Sequence, residues 1–283
     1  PATSPAQAIR ISRALNRGAK LIVIDPRKTT LAAKADCWLR VRPGTDGELA
    51  MAMIHVLIEE KLFDDEFTNR WTNGSFLVRC DNGRLLTERD LKPRGNENTY
   101  VVWDERGTAP CAIDGIQPES VGALLGTFDV NLCDEKRVQC QTALQMLKEK
   151  VAEYAPERSE KITTVPAEEV RKAVRHFATH KPSSYCTWVG LEQDNDAMQT
   201  NRAVCCFHAL TGQFDQRGSN VLFATTPTNP INGRELLPEN KAALRLGIDK
   251  HPLGPPVYPG LVQPARVYDA ILTGAPYTIK ALI

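Results

Sequence analysis

An acid and an arginine stand together where an apolar run ends. Lys20-Leu21-Ile22-Val23-Ile24 leads into Asp25-Pro26-Arg27, the form of a short strand that stops at a turn. In open α/β sheets, ligands lie beyond the carboxyl ends of the strands. A carboxylate there accepts hydrogen bonds from ribose hydroxyls or purine N–H groups, and an Arg pairs with a phosphate. Asp25 equally suits a cap on the turn that Pro26 enforces, and the residues leave both roles open. A second such run, Arg42-Pro43-Gly44-Thr45-Asp46-Gly47, precedes an apolar helix. Gly44 permits tight backbone, and a helix start offers unpaired N–H donors to an anion. Asp46 can pair bidentately with the N1–H and N2–H₂ edge of guanine, a contact adenine does not offer. The alternative is a plain helix cap: Thr45, with Glu48 three residues on, has the form of a capping box.

The elements that must position these residues alternate between helical and extended patterns. Residues 4–16 place Ala8, Ile11 and Leu15 on one helix face, and Gly18 is a good left-handed stop. The run at residues 20–24 reads as a buried parallel strand, with a second strand at 38–41 and a short helix between them at 29–35. Residues 45–61 make a mostly buried helix, and 64–71 a shorter one. From Asn73 to about Cys140 the texture changes. Phe76-Leu77-Val78, Thr99 to Trp103 and Ala112-Ile113 alternate with Asp81-Asn82-Gly83, Arg106-Gly107 and Asp114-Gly115, which is hairpin chemistry.

Helical periodicity returns with Leu144, Leu147, Val151 and Tyr154, then with Val170, Val174 and Phe177, where Pro166 fits a first turn. Residues 184–189 read as a strand that delivers the chain to Gly190. A helix at 197–210 ends at Thr211-Gly212. The stretch 220–264 is rich in Pro, Gly and Asn, with a small helix near 239–246. A helix at 263–272 and an apolar strand at 277–283 follow. The pattern predicts an α/β fold: Rossmann-like parallel sheets with flanking helices and a β-hairpin-rich insertion. Residues 1–189 form the Rossmann-like domain, with the insertion at about 73–140, and 190–283 form part of an adjoining α/β domain.

The chain has 283 residues, room for one large or two ordinary domains, and its 42% hydrophobic and 24% charged content excludes a disordered chain. With 35 Lys+Arg against 34 Asp+Glu it lacks the basic excess of a nucleic-acid binder. No window is apolar for long enough to span a membrane. The first seven residues lack the pattern of a signal peptide, and without an initiator Met the termini read as cuts in a longer chain. Eight cysteines include no CxxC pair, so a zinc ribbon or a local iron–sulfur site has no support. They read as buried or half-buried free thiols in a reducing compartment, with Cys205-Cys206 in the core. His176 and His180 have the spacing of half a zinc site, but no further ligand is placed to complete it, so they read as solvated or capping residues.

The run Ile24-Asp25-Pro26-Arg27-Lys28-Thr29, then Ala35-Asp36 and Arg42-Pro43-Gly44-Thr45-Asp46-Gly47, resembles the pattern of the molybdopterin-dinucleotide oxidoreductases, the dimethyl sulfoxide reductase family. Leu57 to Asp64 is similar to the family, as are Trp188-Val189-Gly190-Leu191-Glu192-Gln193 and Leu210-Thr211-Gly212 with Gly218 beyond. The resemblance runs from near residue 8 to the end. It implies that Asp25, Arg27, Thr29, Gly44, Thr45 and Asp46 hold the guanosine and phosphate end of a molybdopterin guanine dinucleotide carrying Mo or W. Gly190 and Gln193 would lie closer to the pterin. Leu31 stands where the family often has a second Thr, so no hydroxyl contact is expected from that position.

The family's 4Fe–4S cysteine motif and metal ligand belong upstream of the first matching segment, so no catalytic or metal residue is assigned. The resemblance also implies partners: the rest of the same polypeptide, and electron-transfer iron–sulfur and membrane-anchor subunits. In the whole enzyme the reaction is oxygen-atom or two-electron transfer on a small substrate; the isolated chain is expected to be inactive. The hairpin region is similar to the subgroup around acetylene hydratase, which points to a non-redox alternative. A nicotinamide-dependent dehydrogenase is a rival, although no G-x-G-x-x-G follows a strand. A non-catalytic structural homologue is another.

Overall fold

The computed structural model describes residues 5–113, 122–222, 226–227, 236–254 and 260–282. They form two compact units, Pro1–Leu222 and Phe223–Ile283. The first begins with helix α1 (Pro5–Leu15), closed by Gly18 at φ 90°. Strand β1 (Ile22–Ile24) then pairs in parallel with β2 (Cys37–Leu39), aligning Ile22 with Cys37 and Ile24 with Leu39. A 3-10 turn, Ala32–Lys34, occupies part of the helix expected between them.

Helix α2 (Asp46–Glu59) is the spine of the first core. Leu49, Ile54, Val56 and Leu57 are fully buried, as a helix apolar on nearly every side must be. Four helices pack on it: α5 (Ala143–Val151), α6 (Pro156–Thr163), α7 (Ala167–Thr179) and α9 (Ala197–Leu210). Its end is closed by two bonds, Lys61 N–H to Ile58 O (3.1 Å) and Leu62 N–H to Leu57 O (2.9 Å), a Schellman motif. Lys61 sits there at φ 52°, where a Cβ costs roughly 1–2 kcal/mol. Lys61→Gly should therefore raise stability by about 1 kcal/mol, read from chemical denaturation.

Helix α3 (Asp65–Trp71) is capped by Asp64, whose Oδ1 accepts from Phe67 N–H at 2.9 Å. The Asp64 N–H in turn donates to Leu210 O at 2.7 Å, tying α3 to the end of α9. Gly212 makes this junction possible. It adopts φ 67°, and a Cβ there would lie 2.8 Å from both Cβ and Cγ of Asp64. Gly212→Ala combines a left-handed alanine with an overlap on the cap, and should cost roughly 2 kcal/mol or more in thermal or denaturant unfolding.

The expected insertion is present as antiparallel hairpins. Strand β3 (Leu77–Arg79) pairs with β7 (Arg137–Thr142), which pairs with β6 (Thr127–Asn131). Strands β4 (Tyr100–Asp104) and β5 (Ala109–Ile113) form a separate hairpin, and α4 (Glu88–Leu91) lies between β3 and β4 in sequence. Leu77, Leu86, Val101, Val130 and Cys140 make a second core, against which Trp103 and Phe128 stack at 4.4 Å. Asp81-Asn82-Gly83 and Arg106-Gly107 fall in turns as expected; Asp114-Gly115 lies outside the described residues. The β6–β7 turn carries no glycine and uses Glu135 at φ 64° instead.

Several sequence expectations are corrected. Residues 184–188 form no strand. A ladder neighbour is replaced by the side-chain amide of Asn220, which accepts from Tyr185 N–H (2.8 Å) and donates to Tyr185 O (2.9 Å). Residues 277–282 form no strand either, and Ile283 lies outside the described residues. The parallel sheet among the described residues is the β1–β2 pair alone, with one neighbour for β1, so Ile24 is 44% exposed instead of buried. The capping box at Thr45 does not form: the Thr45 hydroxyl donates to Arg42 O (2.7 Å), and Glu48 accepts from Ser159 Oγ (2.8 Å) on α6. The result is a mixed α/β fold with parallel and antiparallel sheets.

In the second unit, α10 (Glu239–Ala242) and α11 (Pro264–Thr273) flank a segment held by Arg245, whose guanidinium donates to the carbonyls of Leu261, His251 and Pro252. No helix among the described residues is long and apolar enough to cross a membrane.

Candidate functional site

The parallel strands β1 and β2 bring both anticipated runs to one edge. Asp25 follows β1, and its N–H donates to Leu39 O at 3.2 Å across the pair. Trp38 Nε1 donates back to Asp25 O at 2.9 Å, which holds the Asp-Pro-Arg turn against β2. Asp25 Oδ1 accepts from Arg27 N–H at 2.7 Å, so one carboxylate oxygen caps the turn. Oδ2 has no partner among the described residues. Thr29 Oγ1 accepts from Ala32 N–H (3.2 Å), which starts the 3-10 turn. Arg27 is exposed, and among the described residues its guanidinium has no partner.

Beyond β2 the chain runs past Arg40, Val41, Arg42 and Pro43 into α2. With Pro26 from the first turn and Thr164 from the end of α6, these residues line an open groove of about 410 Å³. Gly44 adopts φ 79°, and the Thr45 side chain does not cap the start of α2; the Asp46 carboxylate lies on its own N–H, which leaves the next N–H groups of the first turn to solvent or to an anion. Asp46 is half-buried. Burial pushes its carboxyl above the ordinary range, and the charge of Asp194 adds to the effect.

Asp194 directly follows the third anticipated segment, residues 188–193. Gly190 lies in the single-turn helix α8 (Val189–Glu192), and Gln193 is its C-cap, with N–H donated to Val189 O at 3.1 Å. Both are exposed, and a Cβ at Gly190 would meet nothing within 4 Å. A Cβ at Gly44 would lie 3.6 Å from Asp194 Oδ2, and one at Gly47 only 2.9 Å from Thr200 Oγ1 on α9. The structure therefore brings Gly44, Asp46 and the loop after Gln193 together. Pro26 and Arg42-Pro43 meet across the groove.

Arg40, Thr164 and Asp194 were not singled out from sequence. Arg40 and Arg42, two residues apart just after a strand, carried a legible signal. Thr164 follows α6, a helix the apolar pattern did not mark.

The cysteine assignment is corrected. All eight thiols are free, but Cys80, Cys133, Cys186, Cys205 and Cys206 are exposed. Helix α9 buries Ala203, Phe207 and Leu210, which turns Cys205 and Cys206 away from the core. His180 Nδ1 lies 3.1 Å from His176 O, and the two rings stack at 4.9 Å. No group of three or more His, Cys, Asp or Glu among the described residues is placed to hold a metal ion.

A family model for molybdopterin oxidoreductases matches residues 1–245. The chain belongs to that family. Perchlorate reductase subunit alpha of Dechloromonas aromatica (strain RCB) is 32% identical over 240 residues, covering 75% of this chain and 26% of that protein. Dimethylsulfide dehydrogenase subunit alpha of Rhodovulum sulfidophilum is 29% identical over 205 residues, covering 71% of this chain and 22% of its own length. The solved structure of acetylene hydratase from Pelobacter acetylenicus superposes with a TM-score of 0.60 at 26% identity, covering 97% of this chain and 32% of that one. The chain spans about a third or less of the length of these molybdopterin-family relatives. The donor set suits such a cofactor: an open glycine turn and a helix start without a Thr45 cap, beside arginines that are unpaired among the described residues, with a half-buried carboxylate next to them.

Proposed function

We propose that this chain holds the guanosine end of one pterin guanine dinucleotide in a molybdenum or tungsten bis-pterin-dinucleotide oxidoreductase. The observation that carries this reading is the convergence of the β1 turn, the Gly44–Asp46 helix start and the Gln193–Asp194 loop on one edge. Asp46 accepts from the N1–H and N2–H₂ edge of guanine, Asp25 Oδ2 from a ribose hydroxyl, and Arg27 faces the phosphates. Thr29 and Thr45 shape the two turns through their local hydrogen bonds, and Gly190 and Gln193 leave open surface for the pterin. When bound, the cofactor supplies oxygen-atom or electron-pair exchange with a small substrate; the protein supplies binding, orientation and electrostatic tuning.

In the whole enzyme, residues 1–189 form one Rossmann-like domain and 190–283 enter its α/β neighbour. A 4Fe–4S cluster upstream, and iron–sulfur and membrane-anchor subunits, would carry the electrons. Alone, the chain should give no methyl-viologen-linked turnover. Titration with GDP and with NADH tests the reading. Tighter GDP binding is expected, and a preference for NADH contradicts it. A second reading, hydration without net redox chemistry, is favoured by the likeness to acetylene hydratase over nearly the whole chain, hairpins included.

A further inference from the structure

We propose that Arg40 and Arg42 form a paired clamp for the diphosphate of the bound nucleotide, an assignment that rests on the guanine-site reading above. The two flank buried Val41 just after β2, where Val41 N–H closes a tight turn on Leu39 O (3.0 Å); both are exposed and both line the groove. The other lining residues are Pro26, Val41, Pro43 and Thr164, so no carboxylate neutralises them there. Several arginines elsewhere do pair with acids: Arg79 with Asp81 and Asp90, Arg137 with Asp129, and Arg175 with Glu60. Neither Arg40 nor Arg42 has a side-chain partner among the described residues.

The backbone beneath them is pinned. Arg42 N–H donates to Thr163 O at 2.8 Å, and the Thr164 hydroxyl donates to Arg40 O at 3.4 Å. Thr164 makes this contact from φ 65°, as the C-cap of α6. Two guanidinium groups on an anchored wall concentrate positive potential in one concavity, and each planar fork matches a phosphate bidentately. Pro43, the last lining residue along the chain, directly precedes Gly44 and the start of α2, and the phosphates here and the guanine at Asp46 are taken as parts of one ligand.

Calorimetric titration of the 283-residue chain with GDP, ADP, guanosine and inorganic pyrophosphate separates the two claims. Arg40→Gln/Arg42→Gln should weaken GDP and pyrophosphate more than tenfold and leave guanosine unchanged. Arg40→Lys should retain part of the affinity, as a point charge without the fork. Arg106→Gln/Arg137→Gln, an equal charge loss in the hairpins, should change nothing, and circular dichroism should show each variant folded. GDP and pyrophosphate affinities that survive in the double variant overturn the clamp and leave the guanine reading standing. Arginine-dependent pyrophosphate binding with no preference for GDP over ADP supports the clamp and overturns that reading. Binding of neither anion to the unsubstituted chain overturns both.

Discussion

Asp46→Asn should weaken GDP binding by roughly 10- to 150-fold, the equivalent of about 1.5–3 kcal/mol for hydrogen bonds to a charged group. The same substitution should make the free protein more stable at neutral pH. The sign follows from the carboxyl's environment. Burial first, then the charge of Asp194, raises the Asp46 pKa above its ordinary 3.8. The folded chain thus holds this proton more tightly than the unfolded chain, and stability falls as pH climbs from the unfolded carboxyl range through the folded one. Above that window the ionised carboxylate is a standing cost, which Asn removes. Thermal unfolding at neutral pH should show a higher midpoint for the variant, and the difference should vanish below the ordinary carboxylate range. GDP affinity of the unsubstituted protein should fall as pH drops into the same window, because a protonated carboxyl loses an acceptor. A carboxylate kept at a cost to the fold, and recovered on ligand binding, is what a binding residue at this position requires.

Leu57→Ala should cost about 2–5 kcal/mol, the range for truncating a fully buried leucine. Leu57 is 0% exposed on α2, among Ile54, Ile58 and the faces of the helices that pack there. Equilibrium urea unfolding measures the loss. Because α2 carries Asp46 at one end and the core along its length, partial unfolding in this variant should release the nucleotide site as well. Loss of GDP binding at urea concentrations that leave the hairpin core folded would show that the site follows α2.

What could be read from the sequence divides along physical lines. Helices α2 and α9 were legible because their apolar residues repeat over several turns. The hairpins at Asp81-Asn82-Gly83 and Arg106-Gly107 were legible because turn chemistry is local. The misread strands at 184–189 and 277–283 were short apolar runs. Such a run is a strand only if a neighbour supplies a ladder, and at Tyr185 a single Asn220 side chain takes that place. The Thr45–Glu48 box failed for a similar reason: Ser159, 111 residues away, competes for Glu48. At the site, Asp25, Gly44 and Asp46 could be named because strand ends and helix starts carry local signals. Thr164 and Asp194 could not, since their importance comes from separate segments meeting, which no local pattern records. The exposed Cys205 and Cys206 show the converse, an apolar composition whose helical phase sends two thiols outward.

Identification of the nucleotide released from the whole polypeptide that carries this sequence decides whether the site holds a guanine dinucleotide. The purified enzyme would be hydrolysed in acid, its nucleotides separated by chromatography, and its metal measured by mass spectrometry. GMP together with molybdenum or tungsten is expected. AMP from a nicotinamide cofactor, or metal recovered without GMP, would contradict it.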